Sequence, residues 1–316
     1  MFPLARPSAC LALLAAAALA GAAPIAYVSN EGSGSVSAID TATDQVIATL
    51  KVGTKPRGIA VSRDGNRLFV SDQAGTLVVH DLASGKDIAS VPLGKSPEAI
   101  YLSPDGLWLS AAVEENDVVV LVDLATLKAA RVVRMKGKNP EHAAWSPDGK
   151  WLYVSAEEAD SVDIVDVGRG AVVQSVTVGA RPRGIGFLPD GTRAYVAAEQ
   201  ADLVAVIDVA KREVIARIAA GSRANGVLVH PDGKRVFVTS GGKGTVQVID
   251  TASNKIVAEV EAGRRPWNMA LTPDGRKLYV ACGRSDSVAV IDTATYAKSA
   301  EIRVGNLPWG VAITPR

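Results

Sequence analysis

Histidine, cysteine and aromatic side chains are all scarce: the 316 residues include three His, two Cys and only 5% Phe, Trp and Tyr. A disulfide framework is excluded, because Cys10 lies in an apolar leader and Cys282 is then alone. Covalent haem is excluded for want of a Cys-x-x-Cys-His run. No Gly-x-Ser-x-Gly elbow is present, nor a Gly-rich phosphate loop between a strand and a helix. Gly241-Gly242-Lys243-Gly244-Thr245 has the look of a phosphate loop, but it falls between two strands and is expected to be only a turn. Neither sign of charge predominates: with Arg6 set aside, 33 basic residues face 33 acidic ones. No global field then pulls the chain toward nucleic acid or anionic lipid, and nucleic acid is not an expected partner.

Long apolar runs are missing after residue 22. Before it, residues 10–20 are almost wholly Ala and Leu, with Arg6 ahead of them and Ala18-Leu19-Ala20 or Ala20-Gly21-Ala22 as a small-residue cleavage site. That run is too short to span a bilayer easily. Residues 1–22 are therefore expected to be a secretory signal peptide, leaving residues 23–316 as one exported, soluble domain without a membrane span.

What the chain does have is a period. A Val-x-x-x-Asp motif, with Leu for Val in the second copy, ends at Asp40, Asp81, Asp123, Asp166, Asp208, Asp250 and Asp292, at intervals of 41 to 43 residues. Asp-Gly pairs keep step at Asp64, Asp105, Asp148, Asp190, Asp232 and Asp274. Each period holds four short Val-, Ile- and Tyr-rich runs bounded by turn residues; in the copy after Pro56 these are strands A (57–62), B (67–72), C (76–81) and D (86–93). The proline suits a strand entrance because it fixes φ and pushes its predecessor toward extended geometry. Asp-Gly suits the A-to-B hairpin because Gly tolerates positive φ.

Four-stranded units at this period predict an all-β, seven-bladed β-propeller. The phase of the copies predicts how it closes: the exported chain starts on a B strand at Ile25 and ends on an A strand over residues 309–314, so the C-terminal strand completes the N-terminal blade. Such pairing removes an open sheet edge.

With strand A innermost, the residue after the proline rings one mouth of the central channel. Around the ring it is Arg57, Glu98, Glu141, Arg183, Asn225, Trp267 and Trp309; the following residue is Gly58, Ala99, His142, Gly184, Gly226, Asn268 and Gly310. A mere scaffold would tolerate one residue type repeated, so this variety marks Arg57, Glu98, Glu141, His142, Arg183, Asn225, Trp267, Asn268 and Trp309 as the candidate ligand site. Loops on the same face add an acidic arc (Glu114, Glu115, Asp117, Glu157, Glu158, Asp160) and a basic one (Lys55, Arg181, Arg223, Arg264, Arg265). Beside Trp267 and Trp309, the basic arc suits a planar anion, held by guanidinium-carboxylate pairing and ring stacking. The alternative is that these are solvated loop charges and packed tryptophans. A metal held by His142, Glu98, Glu141 and a neighbouring glutamate is a further possibility, but no spaced ligand motif supports it, and no catalytic residue is assigned. His80, on strand C, and Cys282, on strand B, are expected to be core residues, and His230 lies at a turn on the opposite face.

Tyr27-Val28-Ser29-Asn30, Val36-Ser37-Ala38-Ile39-Asp40-Thr41-Ala42-Thr43 and Pro56-Arg57-Gly58-Ile59-Ala60-Val61 resemble the YVTN family of β-propeller repeats. The ending Val304-Gly305-Asn306-Leu307-Pro308-Trp309-Gly310-Val311-Ala312 is similar to that of the propeller proteins associated with pyrroloquinoline quinone (PQQ)-dependent alcohol catabolism. That resemblance implies a periplasmic accessory protein, without a catalytic step of its own, beside a quinoprotein dehydrogenase or cytochrome. PQQ or another planar anion is the ligand it suggests. Two competing expectations are a lactonase- or lyase-like propeller enzyme with a metal at the channel mouth, and an interaction scaffold that binds nucleic acid or cell-wall polymer through the basic arc.

Overall fold

The computed structural model describes residues 23–315, so the expected signal peptide lies outside the described residues. Seven four-stranded antiparallel sheets form the ring. Blades 2 to 7 begin with the A strands Pro56–Val61, Pro97–Leu102, Pro140–Trp145, Pro182–Phe187, Ala224–Val229 and Pro266–Leu271. Blade 1 joins the two ends of the chain: Pro308–Ile313 pairs with Ile25–Asn30, which continues to Ser35–Asp40 and Gln45–Leu50. The closing strand starts one residue earlier than expected because Pro308 already pairs with Asn30. Thr314 has left the strand but still clasps it, its Oγ1 accepting from the Ile25 N–H at 2.9 Å while its own N–H donates to the Ile25 carbonyl at 2.9 Å.

Burial follows the order of strands within a blade. B and C strands are covered on both faces, whereas the outer D strands are mostly exposed. The third residue of strand B is Tyr27, Phe69, Tyr153, Tyr195, Phe237 or Tyr279 in six blades, each buried between neighbouring blades. Burying such a ring contributes about 2–3 kcal/mol, so these six side chains do much to fix the ring. In blade 3 the position is Ser110, whose hydroxyl donates to the Ala143 carbonyl at 2.7 Å instead.

Two local features aim side chains at the channel mouth. In every blade the A–B ladder shifts register just after the proline or Ala224, so that two A-strand residues, such as Arg57 and Gly58, oppose a single B-strand residue. A bulge of this kind re-aims a side chain, and here it turns the first of the two residues toward the mouth. The second residue meets the next blade: a Cβ at Gly226 would lie 2.2 Å from the Trp267 carbonyl oxygen, and one at Gly58 would lie 2.5 Å from that of Glu98. Glycine is therefore a packing requirement at Gly58 and Gly226, whereas blades 3, 4 and 7 fit Ala99, His142 and Asn268 at the same place.

The residue before the proline is not extended as expected. Ser96, Asn139, Arg181, Arg265 and Leu307, and Arg223 before Ala224, have φ between 52° and 60°. The left-handed turn directs their carbonyls to the first N–H after strand B of the same blade, giving bonds such as Glu114 N–H to Ser96 O at 3.0 Å and Glu199 N–H to Arg181 O at 2.8 Å. Lys55 accepts the corresponding bond from Gln73 without that turn. In each blade this bond holds the first residue after strand B beside the start of strand A.

Candidate functional site

The bulges and the pinned loops surround a polar cavity of about 270 Å³ at the channel mouth. Arg57, Glu98, Glu141, His142, Arg183, Asn225, Trp267 and Trp309 all line it. Asn268 does not: as the second residue of its bulge it faces a deeper cavity of about 100 Å³, and its Nδ2 donates to the Trp309 carbonyl at 3.3 Å. His142 and Trp309 border both cavities and stack with centroids 6.3 Å apart and planes 19° apart, forming the floor of the mouth. Trp267 lies over Gly283, where a Cβ would come within 2.4 Å of the ring.

The charges are interleaved, not sorted into an acidic and a basic arc. Arg57 pairs with the buried Glu98 and, at 3.2 Å, with Glu31. Arg183 pairs with Glu141, with Glu157 at 3.1 Å and with Glu199 at 2.9 Å. Arg181 adds contacts to Glu157 and Glu199, and Arg265 reaches past blade 6 to Glu199 at 2.7 Å. Glu31 and Glu199 are mouth residues that the post-proline ring does not include. They share one place in the repeat, immediately after strand B, where the copies read Glu31, Gln73, Glu114, Glu157, Glu199, Gly241 and Gly283. That position is a second ring, and the backbone bond described above sets it against the first.

Six carboxyl groups thus share the mouth with four guanidinium groups. Burial raises Glu98 well above the usual carboxylate range, and the neighbouring Glu141 adds to the rise, against the pull of Arg57. Burial also opposes ionisation of Glu141, but Arg183 and a hydrogen bond from Glu157 outweigh it and hold its pKa low. Glu157 is pushed up to about 8 by burial and by that same hydrogen bond, so the two carboxyls share a proton carried by Glu157. His142 is lowered to about 4 by burial and is neutral at pH 7. Its Nδ1 shares a hydrogen bond of 2.6 Å with the Tyr101 hydroxyl, a phenol that burial keeps protonated.

This assignment sets a pH dependence. Because the folded pKa of Glu157 lies above its unfolded value of roughly 4.3, its proton favours the folded state below that value, and the benefit is lost as pH rises toward 8. Glu141 acts in the opposite sense, but only below the usual carboxylate range. Thermal melts at pH 5, 7 and 9 are expected to show a wild-type midpoint that falls with pH and a flatter profile for Glu157→Gln, which ends above wild type at pH 9.

The metal set raised as an alternative is not brought together among the described residues. His142 is bound to Tyr101, and the acidic ligand atoms that do lie within 4.8 Å of one another belong to Glu114, Glu141 and Glu157. Arg183 contacts two of these three, so a dication there would compete with a guanidinium already in place. The other singled-out residues lie away from the mouth. Cys282 is fully buried, with its thiol pushed up to about 12 by burial. His80 is buried with Nδ1 2.7 Å from Asp87, and His230 Nε2 is 3.2 Å from the Gly275 carbonyl.

The sequence profile of the YNCE-like β-propellers matches residues 12–107 and 100–274. No curated protein sequence matches the chain. Among solved structures, hydrazine synthase of Kuenenia stuttgartiensis superposes with a TM-score of 0.78 at 24% identity, over 85% of this chain and 92% of that one. A functionally unknown protein from Desulfotomaculum acetoxidans gives 0.79 at 18% identity, over 92% and 98%. The dihydro-heme d1 dehydrogenase NirN, in complex with DHE, gives 0.67 at 17% identity, over 91% and 74%. At these identities the likeness is one of fold.

Proposed function

The chain belongs to the YNCE-like β-propeller family, and from that premise we propose that it is a non-catalytic binding protein, exported to the periplasm, with the channel mouth as its ligand site. The observation that carries this reading is the set of polar valences the mouth leaves open: Arg57 Nε and Arg265 Nη1 are buried without a hydrogen-bond partner, on residues that line the same cavity as Trp267 and Trp309. Buried donors of this kind are costly unless something accepts from them. A flat ligand rich in carbonyl or carboxylate oxygens meets both needs, stacking on indole and accepting from guanidinium.

PQQ is a planar tricarboxylate of that kind, and the C-terminal resemblance supports a role beside a quinoprotein dehydrogenase or cytochrome. Because both arginines already contact glutamates, such an anion binds best when part of the acidic charge is neutralised. Its affinity therefore rises as pH falls and Glu98 and Glu157 hold their protons. Titration of the mature protein with PQQ, followed by Trp fluorescence, is expected to show saturable quenching that is stronger at pH 6 than at pH 8 and weaker in Trp267→Ala. An unchanged wild-type spectrum at high ligand would sink the reading.

One observation favours a second reading, acid-base catalysis at the same mouth by a lactonase- or lyase-like enzyme. A neutral Glu157 beside an ionised Glu141 is the pairing that proton transfer uses. Turnover of a lactone or uronate that Glu157→Gln abolishes would establish it.

A further inference from the structure

A second cavity, about 560 Å³ and wider than the mouth, opens between blades 6 and 7. The ring of acidic residues after strand B is interrupted there: the place held by glutamate in blades 1, 3, 4 and 5 is Gly241 in blade 6, which lines the groove, and Gly283 in blade 7, where the Trp267 ring takes the space. The arginines that follow have no carboxylate at that place on their own blades. Arg265 resolves this by crossing to Glu199. Arg264 and Arg284 do not; both are exposed, and among the described residues neither is within ion-pairing distance of a carboxylate.

These two arginines stand on adjoining loops, joined by the bond from the Arg284 N–H to the Arg264 carbonyl at 3.1 Å. Opposite them runs the Gly241-Gly242-Lys243-Gly244 turn. A Cβ on Gly244 would lie 2.8 Å from the Gly263 carbonyl oxygen, so only glycine lets the turn sit this low against the groove floor. Lys243 and Lys298 also line the groove, paired with Glu259 at 3.2 Å and Glu301 at 2.6 Å, while Glu261 is the one lining carboxylate without an ion partner. The balance left open is two guanidiniums against one carboxylate.

We propose that this groove binds a small phosphorylated molecule, its phosphoryl oxygens taken by Arg264 and Arg284 over the glycine turn. Guanidinium matches a phosphate bidentately, and two such forks on adjoining loops suit neighbouring phosphoryl oxygens. Arg265 borders both the groove and the mouth, but Arg264 and Arg284 line only the groove, and Trp267, Trp309 and Asn225 take no part in it.

The probe is inorganic pyrophosphate, titrated calorimetrically into the mature protein at low ionic strength. One-to-one saturable binding is expected, weakening as salt rises. The Arg264→Gln, Arg284→Gln double variant is expected to bind at least about tenfold more weakly, as the loss of charge-assisted contacts requires. Since both residues are exposed and unpaired, its melting temperature should match that of wild type. Trp309→Phe, on blade 1 and outside the groove lining, should bind pyrophosphate as wild type does. Absence of saturable binding, or equal binding by the double variant, overturns the proposal. So does binding confined to single-stranded DNA or to phosphatidylglycerol vesicles, which would make the groove a polymer or membrane contact.

Discussion

Cutting the chain after Leu307 is expected to unfold the ring, not merely shorten it. The lost segment supplies the innermost strand of blade 1, paired with Ala26, Tyr27, Val28 and Ser29. With it go the buried side chains of Trp309, Val311 and Ala312 and the Thr314 clasp on Ile25. Ser29 Oγ, which accepts from the Gly310 N–H at 3.0 Å and donates to the Arg57 carbonyl, loses its role as the link between blades 1 and 2. Burial of the Trp ring alone is worth about 2–3 kcal/mol, and the remaining losses bring the total above about 5 kcal/mol, on the scale of the whole stability of a typical domain. The exposed edge of Ile25–Asn30 would also invite association between chains. Circular dichroism is expected to show a melting temperature lower by more than about 10 °C, with aggregated material on gel filtration, and a synthetic peptide of residues 306–316 should restore part of the loss. A truncated chain that melts within a few degrees of wild type would mean that the ring does not depend on this closure.

That closure was legible in the sequence because it depends only on period and phase. Asp-Gly pairs marked the hairpins, and Gly65, Gly106, Gly149, Gly191, Gly233 and Gly275 all have the positive φ those turns need. The start of strand A was off by one residue, since nothing in the run Pro56-Arg57-Gly58 shows that the ladder shifts register there. The left-handed residue before the proline was equally hidden: the local preference is for extended geometry, and the bond that accompanies the turn comes from Glu114, Glu157, Glu199 and their equivalents, more than a dozen residues downstream.

The post-proline residues Arg57, Glu98, Glu141, Arg183, Asn225, Trp267 and Trp309 do line one cavity, but the electrostatics of that cavity differ from the expected arcs. Sorting charges by loop gave two arcs, whereas the actual pairs join residues far apart in the chain, such as Arg57 with Glu98 and Arg265 with Glu199. The missing signal was the position after strand B. Aligning the seven copies there shows four glutamates, one glutamine and two glycines. Set beside the post-proline ring, those residues account for both the ion-pair network and the gap between blades 6 and 7.

Arg183 is the hub of that network, and its replacement by Met is expected to be the most damaging point substitution at the mouth. Its side chain is 13% exposed and contacts Glu141, Glu157 and Glu199, each nine-tenths buried or more. Removing one partner of a buried ion pair leaves an uncompensated charge and costs about 3–5 kcal/mol; here the ionised Glu141 and Glu199 lose their common counter-ion, and the protonated Glu157 loses a donor. The cost should depend on pH in a defined direction. In the wild type, Arg183 holds the Glu141 pKa below its unfolded value, so the stability Glu141 contributes is present above roughly pH 4.3 and lost as pH falls through the depressed folded value. Without Arg183, burial is opposed only by the Glu157 hydrogen bond and the weaker pull of Arg57, so the Glu141 pKa rises and the variant, relative to wild type, is favoured in acid. The wild-type effect lies below roughly pH 4.3, so between there and pH 7.5 the change comes from the variant: the difference in urea midpoint between wild type and Arg183→Met should be large at pH 7.5 and shrink toward pH 4. Arg183→Lys keeps the charge but loses the planar fork that spans several carboxylates, so it should fall between the two. A second change in the Met background, Glu141→Gln, should recover much of the loss at pH 7.5 by removing the stranded charge. Equal midpoints for wild type and Arg183→Met at pH 7.5 would show that water already screens the network. The mouth would then be a solvated surface, not a preorganised polar site.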